Sequence, residues 1–79
     1  MDIRIEYCVQ WDYKPKALSL RRTLEAEFGI VAELKPGDVG AFEVFVNDNL
    51  IFSKFQLGRF PDDPPNVGWV EIIKLIKEM

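Results

Sequence analysis

The chain has 79 residues, a formal net charge of −3, a hydrophobic content of 48%, one cysteine and no histidine. This composition predicts a single globular domain over residues 1–79, and the lack of a basic surplus argues against a nucleic-acid binder. One cysteine without histidine excludes an intrachain disulfide and a Cys–His catalytic pair. It also leaves no set of zinc ligands, so we expect no metal.

Apolar segments are short throughout the sequence. No run approaches the about 20 residues that a membrane span needs, and the first residues lack the apolar centre of a signal peptide. We therefore expect no membrane association. A lone cysteine is typical of reducing compartments, which predicts a cytoplasmic protein.

The first half of the chain reads as a strand followed by a helix. Residues 2–8 alternate between apolar and polar side chains, which is the pattern of a strand. Residues 14–28 change to helical spacing, with Pro15 in the first turn and Gly29 just after the last.

The remaining elements are predicted as strands over 30–35, 41–46 and 50–54, an irregular segment over 58–66 and a helix over 67–77. The turn residues Asn47, Asp48 and Asn49 predict a hairpin between the last two strands. The resulting order is β-α-β-β-β-α. A right-handed parallel β-α-β unit extended by an antiparallel hairpin predicts an α/β (α+β) fold with a four-stranded mixed sheet, which is a thioredoxin-like core.

Cys8 ends the first strand, at the corner before the helix. In such a core, the unpaired N–H groups of the helix N-terminus favour an anion, so we expect an exposed sulfur and a stabilised thiolate. A lone thiol can form mixed disulfides or a sulfenic acid but no internal disulfide. From the residues alone, Cys8 can equally be a small buried hydrophobe at a strand end.

Several motifs are shared with one family of small proteins. They are "YC" at 7–8, "YKPKAL" at 13–18, "FG" at 28–29, "PGDVGAFEVFVNDNLIFSK" at 36–54 and "GRFP" at 58–61. On these motifs, which span nearly the whole chain, the sequence resembles the selenoprotein W-like family, also called Rdx. The resemblance implies a thioredoxin-like fold and a thiol-redox role.

The family has Cys-x-x-Cys or Cys-x-x-selenocysteine at the positions of Cys8 and Trp11. The resemblance therefore implies that Cys8 is the catalytic thiol and that position 11 is that of its redox partner, where this chain departs. Three interpretations of Trp11 stand open. The second redox atom has been lost; the codon is UGA, one base from the tryptophan codon UGG, and encodes selenocysteine; or the indole is a hydrophobic lid on the corner.

Two functions follow. In the first, Cys8 forms a mixed disulfide with glutathione or with a thiol-bearing partner protein, and no other cofactor is needed. In the second, the chain is a non-catalytic interaction module that binds a protein through Trp11, Tyr13 and Phe60. Gly40 precedes the third strand, near where thioredoxins have a cis-proline, and the absence of a side chain predicts room for a peptide or glutathione beside Cys8.

Overall fold

A computed structural model describes all 79 residues, and its elements follow the predicted order with two additional short helical segments, a four-residue helix after the last strand and a 3-10 helix at Val67–Trp69. The strands are β1 (Ile3–Tyr7), β2 (Glu33–Pro36), β3 (Phe42–Val46) and β4 (Asn49–Ser53), and the helices are α1 (Lys14–Phe28), α2 (Lys54–Leu57) and α3 (Val70–Lys77). The sheet has the order β2-β1-β3-β4, with β1 parallel to β2 and the other two pairs antiparallel. The predicted four-stranded mixed sheet is confirmed.

One face of the sheet carries the core. Alternate residues of β1 and β3 lie side by side on this face; Ile5, for example, is paired with Val44. Residues of α1 and α3 pack against the same face. Burying such side chains contributes about 1.5–3 kcal/mol each. The buried core comprises Ile3, Ile5, Tyr7, Ala17, Leu20, Leu24, Ala32, Phe42, Val44, Val46, Phe52, Trp69, Ile72 and Ile76. No helix is both long enough and apolar enough to cross a bilayer.

The ends of α1 follow the predicted signals. Pro15 lies in the first turn, where its missing N–H has no partner to lose. Gly29 has a φ of 68°, and its N–H donates to the carbonyl of Glu25. This left-handed conformation ends the helix at little cost only for glycine.

The hairpin between β3 and β4 also forms as predicted. Asn47 and Asp48 have φ values of 50° and 66°, the left-handed conformation that a two-residue hairpin turn needs. The turn is joined to the start of the chain, because the N–H of Asp2 donates to Oδ1 of Asn47 at 2.9 Å and the N–H of Asn47 donates to the Asp2 carbonyl at 2.8 Å. These bonds fix the register of β1 against β3.

Two predicted boundaries are wrong by three residues, and the other strand ends differ by one residue at most. The second strand begins at Glu33 rather than at residue 30, because its register pairs Glu33 with Arg4, and three residues earlier it would pair with Met1, which precedes β1. The closing α-helix begins at Val70 rather than at residue 67. Gly68 and Trp69 have φ values of 75° and 63°, which interrupt the helix.

The additional helix α2 was not predicted: its first residue, Lys54, was placed at the end of the last strand, and residues 55–57 were assigned to no element. Its start is marked by Ser53, whose Oγ accepts a hydrogen bond from the N–H of Gln56 at 3.4 Å. Its end is marked by Gly58, with a φ of 70°. Both are ordinary helix-boundary signals in the sequence, and a helix of four residues is too short to show periodicity.

An ion pair joins the segment after α2 to the first turn of α3. The guanidinium of Arg59 donates to both carboxylate oxygens of Glu71, at 2.6 and 2.9 Å. These hydrogen bonds lower the pKa of Glu71 below its ordinary value of 4.5, although partial burial opposes them. A carboxyl whose pKa is lowered by folding stabilises the folded state above its unfolded pKa, and this contribution is lost as the pH falls through the folded value.

We therefore expect Glu71→Gln to lower the free energy of unfolding modestly at neutral pH, since solvent screens a partly exposed pair. The difference from the wild type should shrink as the pH falls from about 5 to below the folded pKa of Glu71. Urea unfolding at a series of pH values measures it. A difference that stays constant across this range contradicts the contribution of the ionised pair.

Candidate functional site

Cys8 directly follows the last residue of β1, and its backbone is held on two sides. Its N–H donates to the carbonyl of Ala41 at 2.8 Å, which continues the pairing of β1 with β3 by one residue. Its carbonyl accepts the N–H of Tyr13 at 3.1 Å, just before α1 begins. The strand end and the helix start are thus joined at this residue, as expected for the strand-to-helix corner.

The sulfur of Cys8 is not exposed. The residue is only 1% exposed, so the prediction of an exposed thiol is wrong. A turn over residues 9–12, closed by a hydrogen bond from the N–H of Asp12 to the carbonyl of Val9 at 3.1 Å, follows Cys8 directly. Cys8 nevertheless lies outside the contiguous apolar core, which in this strand ends at Tyr7. It is buried at the edge of the fold.

The sulfur has a polar partner. The N–H of Trp11 donates to Cys8 Sγ at 3.3 Å. The sequence predicted that the first turn of α1 would supply this donor, but the donor lies in the turn that precedes the helix. The donor to the sulfur is therefore a different one from that predicted.

The side chain of Trp11 fills the space that was predicted for a ligand. Gly40 is buried, and a Cβ built on it would lie 3.0 Å from Trp11 Cζ3 and 3.5 Å from Phe55 Cε1. Gly40 also has a φ of 83°, so both the conformation and the close approach require glycine. Gly40 does lie next to the Cys8 corner, through the bond from Cys8 to Ala41, but the indole already occupies the room above it.

Tyr13 and Phe60 lie beside Trp11, as the interaction hypothesis requires. The ring centroids of Trp11 and Tyr13 are 6.2 Å apart, and those of Tyr13 and Phe60 are 4.8 Å apart, both edge to face. Phe60 also contacts the core ring of Phe42 at 5.5 Å. Tyr13 and Phe60 are half-buried, so Trp11 supplies the exposed part of this aromatic row.

Two lysines further cover these half-buried rings. Lys16 Nζ lies 4.6 Å from the Phe60 ring centroid and is bonded to both carboxylate oxygens of Asp62 at 3.1 Å. Lys54 Nζ lies 5.6 Å from the centroid of Tyr13 and 5.4 Å from that of Phe60. Cations over aromatic faces are favourable contacts that also take up ring surface. Neighbouring side chains therefore cover much of Tyr13 and Phe60, and these two rings offer little free surface to a partner.

Three exposed apolar residues near Trp11 were not predicted. Phe55 is 55% exposed and lies beside Gly40; Val9 and Val39, at 59% and 55%, are close in sequence to Trp11 and Gly40. The capping signals of α2 could have indicated Phe55, since a single helical turn on the surface exposes most of its side chains. The two valines carry no signal beyond their place in loops.

The corner has no preformed pocket. None of the cavities in the molecule is lined by Cys8, Trp11 or Gly40. No group of three or more potential metal-ligating side chains occurs. What the corner offers chemically is one sulfur, one N–H donor to it and one indole beside it.

Comparison with known proteins agrees with the fold. The sequence model of the Rdx family matches residues 2–70. The chain belongs to the Rdx family. Among curated Rdx-related proteins, it is 45% identical over 56 residues to selenoprotein W of Ovis aries and 38% identical over 60 residues to migration and invasion enhancer 1 of Mus musculus. These matches cover 66% and 75% of this chain, but only 64% and 52% of the two relatives.

Solved structures show the same fold. A selenoprotein W-related protein from Vibrio cholerae superposes with a TM-score of 0.78 at 25% identity, over 98% of this Rdx chain and 92% of the other. A protein from Bordetella parapertussis superposes with a TM-score of 0.73 at 26% identity, over 90% and 94%. The thioredoxin-like architecture predicted from the sequence is confirmed.

Proposed function

We propose that this Rdx protein is a thiol-redox protein that acts through Cys8. The observation that carries the proposal is the hydrogen bond of 3.3 Å from the N–H of Trp11 to Cys8 Sγ. It brings the backbone of position 11 to the sulfur, and these are the two positions at which the resemblance to selenoprotein W-like proteins implies a redox pair. A buried cysteine with a merely structural role needs no donor aimed at its sulfur.

The reaction is thiol–disulfide exchange. The Cys8 thiolate attacks one sulfur of oxidised glutathione or of a partner's disulfide, the disulfide bond breaks, and the other half leaves as a thiolate. The product is a mixed disulfide on Cys8. Because this chain has no second cysteine, an external thiol must release it, and that thiol leaves bonded to the group it removes.

Position 11 decides how complete the redox site is. With tryptophan there, the partner sulfur always comes from another molecule, either glutathione or a thiol-bearing protein. With selenocysteine there, the pair would be internal. The genomic codon distinguishes the two: UGA supports selenocysteine, and UGG in a source without selenocysteine machinery excludes it. We place the protein in the cytoplasm, where a lone thiol stays reduced.

Exposure of the native protein to oxidised glutathione tests the function. We expect intact-mass analysis to show one glutathionyl group per chain, removed by dithiothreitol and absent in Cys8→Ser. The folded state is verified in the same sample by circular dichroism. A folded protein that gains no adduct over hours contradicts the proposal. The alternative would then hold, in which Trp11 and its neighbours bind a partner without redox chemistry.

A further inference from the structure

The geometry points to Trp11 as a lid that controls access to Cys8. The two residues share one turn and differ sharply in exposure: Cys8 is 1% exposed and Trp11 is 56% exposed. A residue as exposed as Trp11 is normally free to change rotamer within nanoseconds. The physiological meaning of the lid rests on the proposed function, but its existence is tested separately.

The backbone beneath the lid is fixed, so the side chain is the part that can move. Cys8 is bonded through its N–H to Ala41 and through its carbonyl to Tyr13, at 2.8 and 3.1 Å. The indole itself has no hydrogen bond to the protein; it packs over Gly40 and meets the ring of Tyr13 edge to face. Rotation of the Trp11 side chain therefore breaks only dispersion contacts, which are individually small.

Gly40 is the residue against which the indole of the lid packs. The indole can lie flat against this residue only because a side chain is missing, since a Cβ would stand 3.0 Å from Cζ3 and 3.5 Å from Cη2. Phe55 borders Gly40 as well, because its Cε1 would lie 3.5 Å from the same added Cβ. Gly40 directly precedes Ala41, whose carbonyl accepts the N–H of Cys8, so the indole over Gly40 lies next to the backbone that holds the buried sulfur.

The lid makes a specific prediction for the reactivity of Cys8. About half of the tryptophan surface is buried in the closed position, so the closed state should be favoured roughly 10- to 100-fold over the open one. Removal of the indole by Trp11→Ala should therefore raise the rate of Cys8 alkylation by iodoacetamide in the folded protein by roughly that factor. Since the chain has a single cysteine, the mass of the product reports this site alone.

Val9→Ala is the matched control for Trp11→Ala. Val9 lies in the same turn with a similar exposure of 59%. Its truncation should leave the alkylation rate within about twofold of the wild type, since small surface changes rarely alter stability much. An unchanged rate in Trp11→Ala, or an equal increase in both variants, overturns the inference.

A side chain added at Gly40 tests the lid with the indole still present. Gly40→Ala introduces a Cβ 3.0 Å from Trp11 Cζ3, a contact tight enough that the indole must shift, so it should also raise the alkylation rate. It should add little in a chain that already carries Trp11→Ala, because the two changes act on one contact. Gly29→Ala is the control, since Gly29 has a similar φ of 68° with nothing within 4 Å of an added Cβ. Equal effects of the two glycine variants would mean general destabilisation and would overturn the lid.

The lid and the redox function can fail separately. If Trp11→Ala alkylates faster but gains no adduct from oxidised glutathione, the lid stands and the redox function is wrong. If oxidised glutathione reacts equally fast with and without the indole, Trp11 does not control access and the lid is wrong.

Discussion

Trp11→Cys is expected to form an internal disulfide with Cys8 in nearly all molecules under mild oxidation. The N–H of residue 11 already lies 3.3 Å from Cys8 Sγ, and the turn over residues 9–12 is closed by its own hydrogen bond. A disulfide joins Cα atoms about 4.4–6.8 Å apart, a separation common across such a turn. Intact mass should show the loss of two hydrogen atoms, and neither thiol should react with iodoacetamide until the protein is reduced.

Trp11→Ser is the control for this experiment. It removes the indole and supplies a hydroxyl of similar size to the thiol, so it should form only mixed disulfides at Cys8. If the Trp11→Cys variant keeps two reactive thiols after oxidation, or yields only linked dimers, the corner does not hold positions 8 and 11 as a redox pair. The resemblance would then not extend to the chemistry.

Trp69→Ala is expected to cause the largest loss of stability among single substitutions in this chain. Trp69 is 2% exposed, stacks on Phe42 with ring centroids 5.9 Å apart, and donates from Nε1 to Ser19 Oγ at 3.1 Å. Truncation of a buried aromatic ring costs about 3–5 kcal/mol. A domain of this size has roughly 4–12 kcal/mol in total. Urea unfolding followed by far-UV circular dichroism should show a folded state that is largely lost or barely stable.

Trp69→Phe separates the ring from its hydrogen bond. It keeps most of the buried apolar surface and loses the bond to Ser19, so it should cost far less, about 1–2 kcal/mol. The same left-handed backbone at position 69 remains in both variants, with its φ of 63°. A Trp69→Ala protein that unfolds at the wild-type urea concentration would contradict the role of this ring in joining α1, β3 and α3.

The fold could be predicted because its signals are local. Alternation over residues 2–8 defines β1, and the left-handed tolerance of Asn47 and Asp48 defines the hairpin turn. The start of α3 could not be predicted, since a helical pattern over 67–77 does not reveal that Trp69 adopts a positive φ to reach the core. Helix α2 is too short for periodicity, and only Ser53 and its C-terminal glycine indicate it.

The site was predicted only in part. Residue types identified Cys8, Trp11, Tyr13, Gly40 and Phe60, and the structure brings all of them to one corner. Their exposure could not be read from the sequence. The alternation of β1 placed Cys8 opposite the core face, yet in the structure this residue is only 1% exposed. The burial of a residue at a strand end depends on which other segments of the chain pack over it, and this is a property of the tertiary structure.

The corner therefore holds its sulfur and its indole in opposite environments. Cys8 is fixed, buried and bonded to an N–H, whereas Trp11 is exposed and held only by apolar contacts. A binding module would need only the exposed Trp11. A structural cysteine would need only to be buried, with no N–H donating to its sulfur. The proposed redox role and the proposed lid both rest on this combination in one turn.

Whether Cys8 reacts within the folded protein is measured most directly by its rate of exchange with oxidised glutathione at increasing urea concentrations below the unfolding transition. A local opening at Trp11 exposes little surface, so we predict a rate that is nearly independent of urea. A rate that rises with the full slope of global unfolding would show that only the unfolded chain reacts. In that case the buried cysteine of this Rdx protein would be a structural residue.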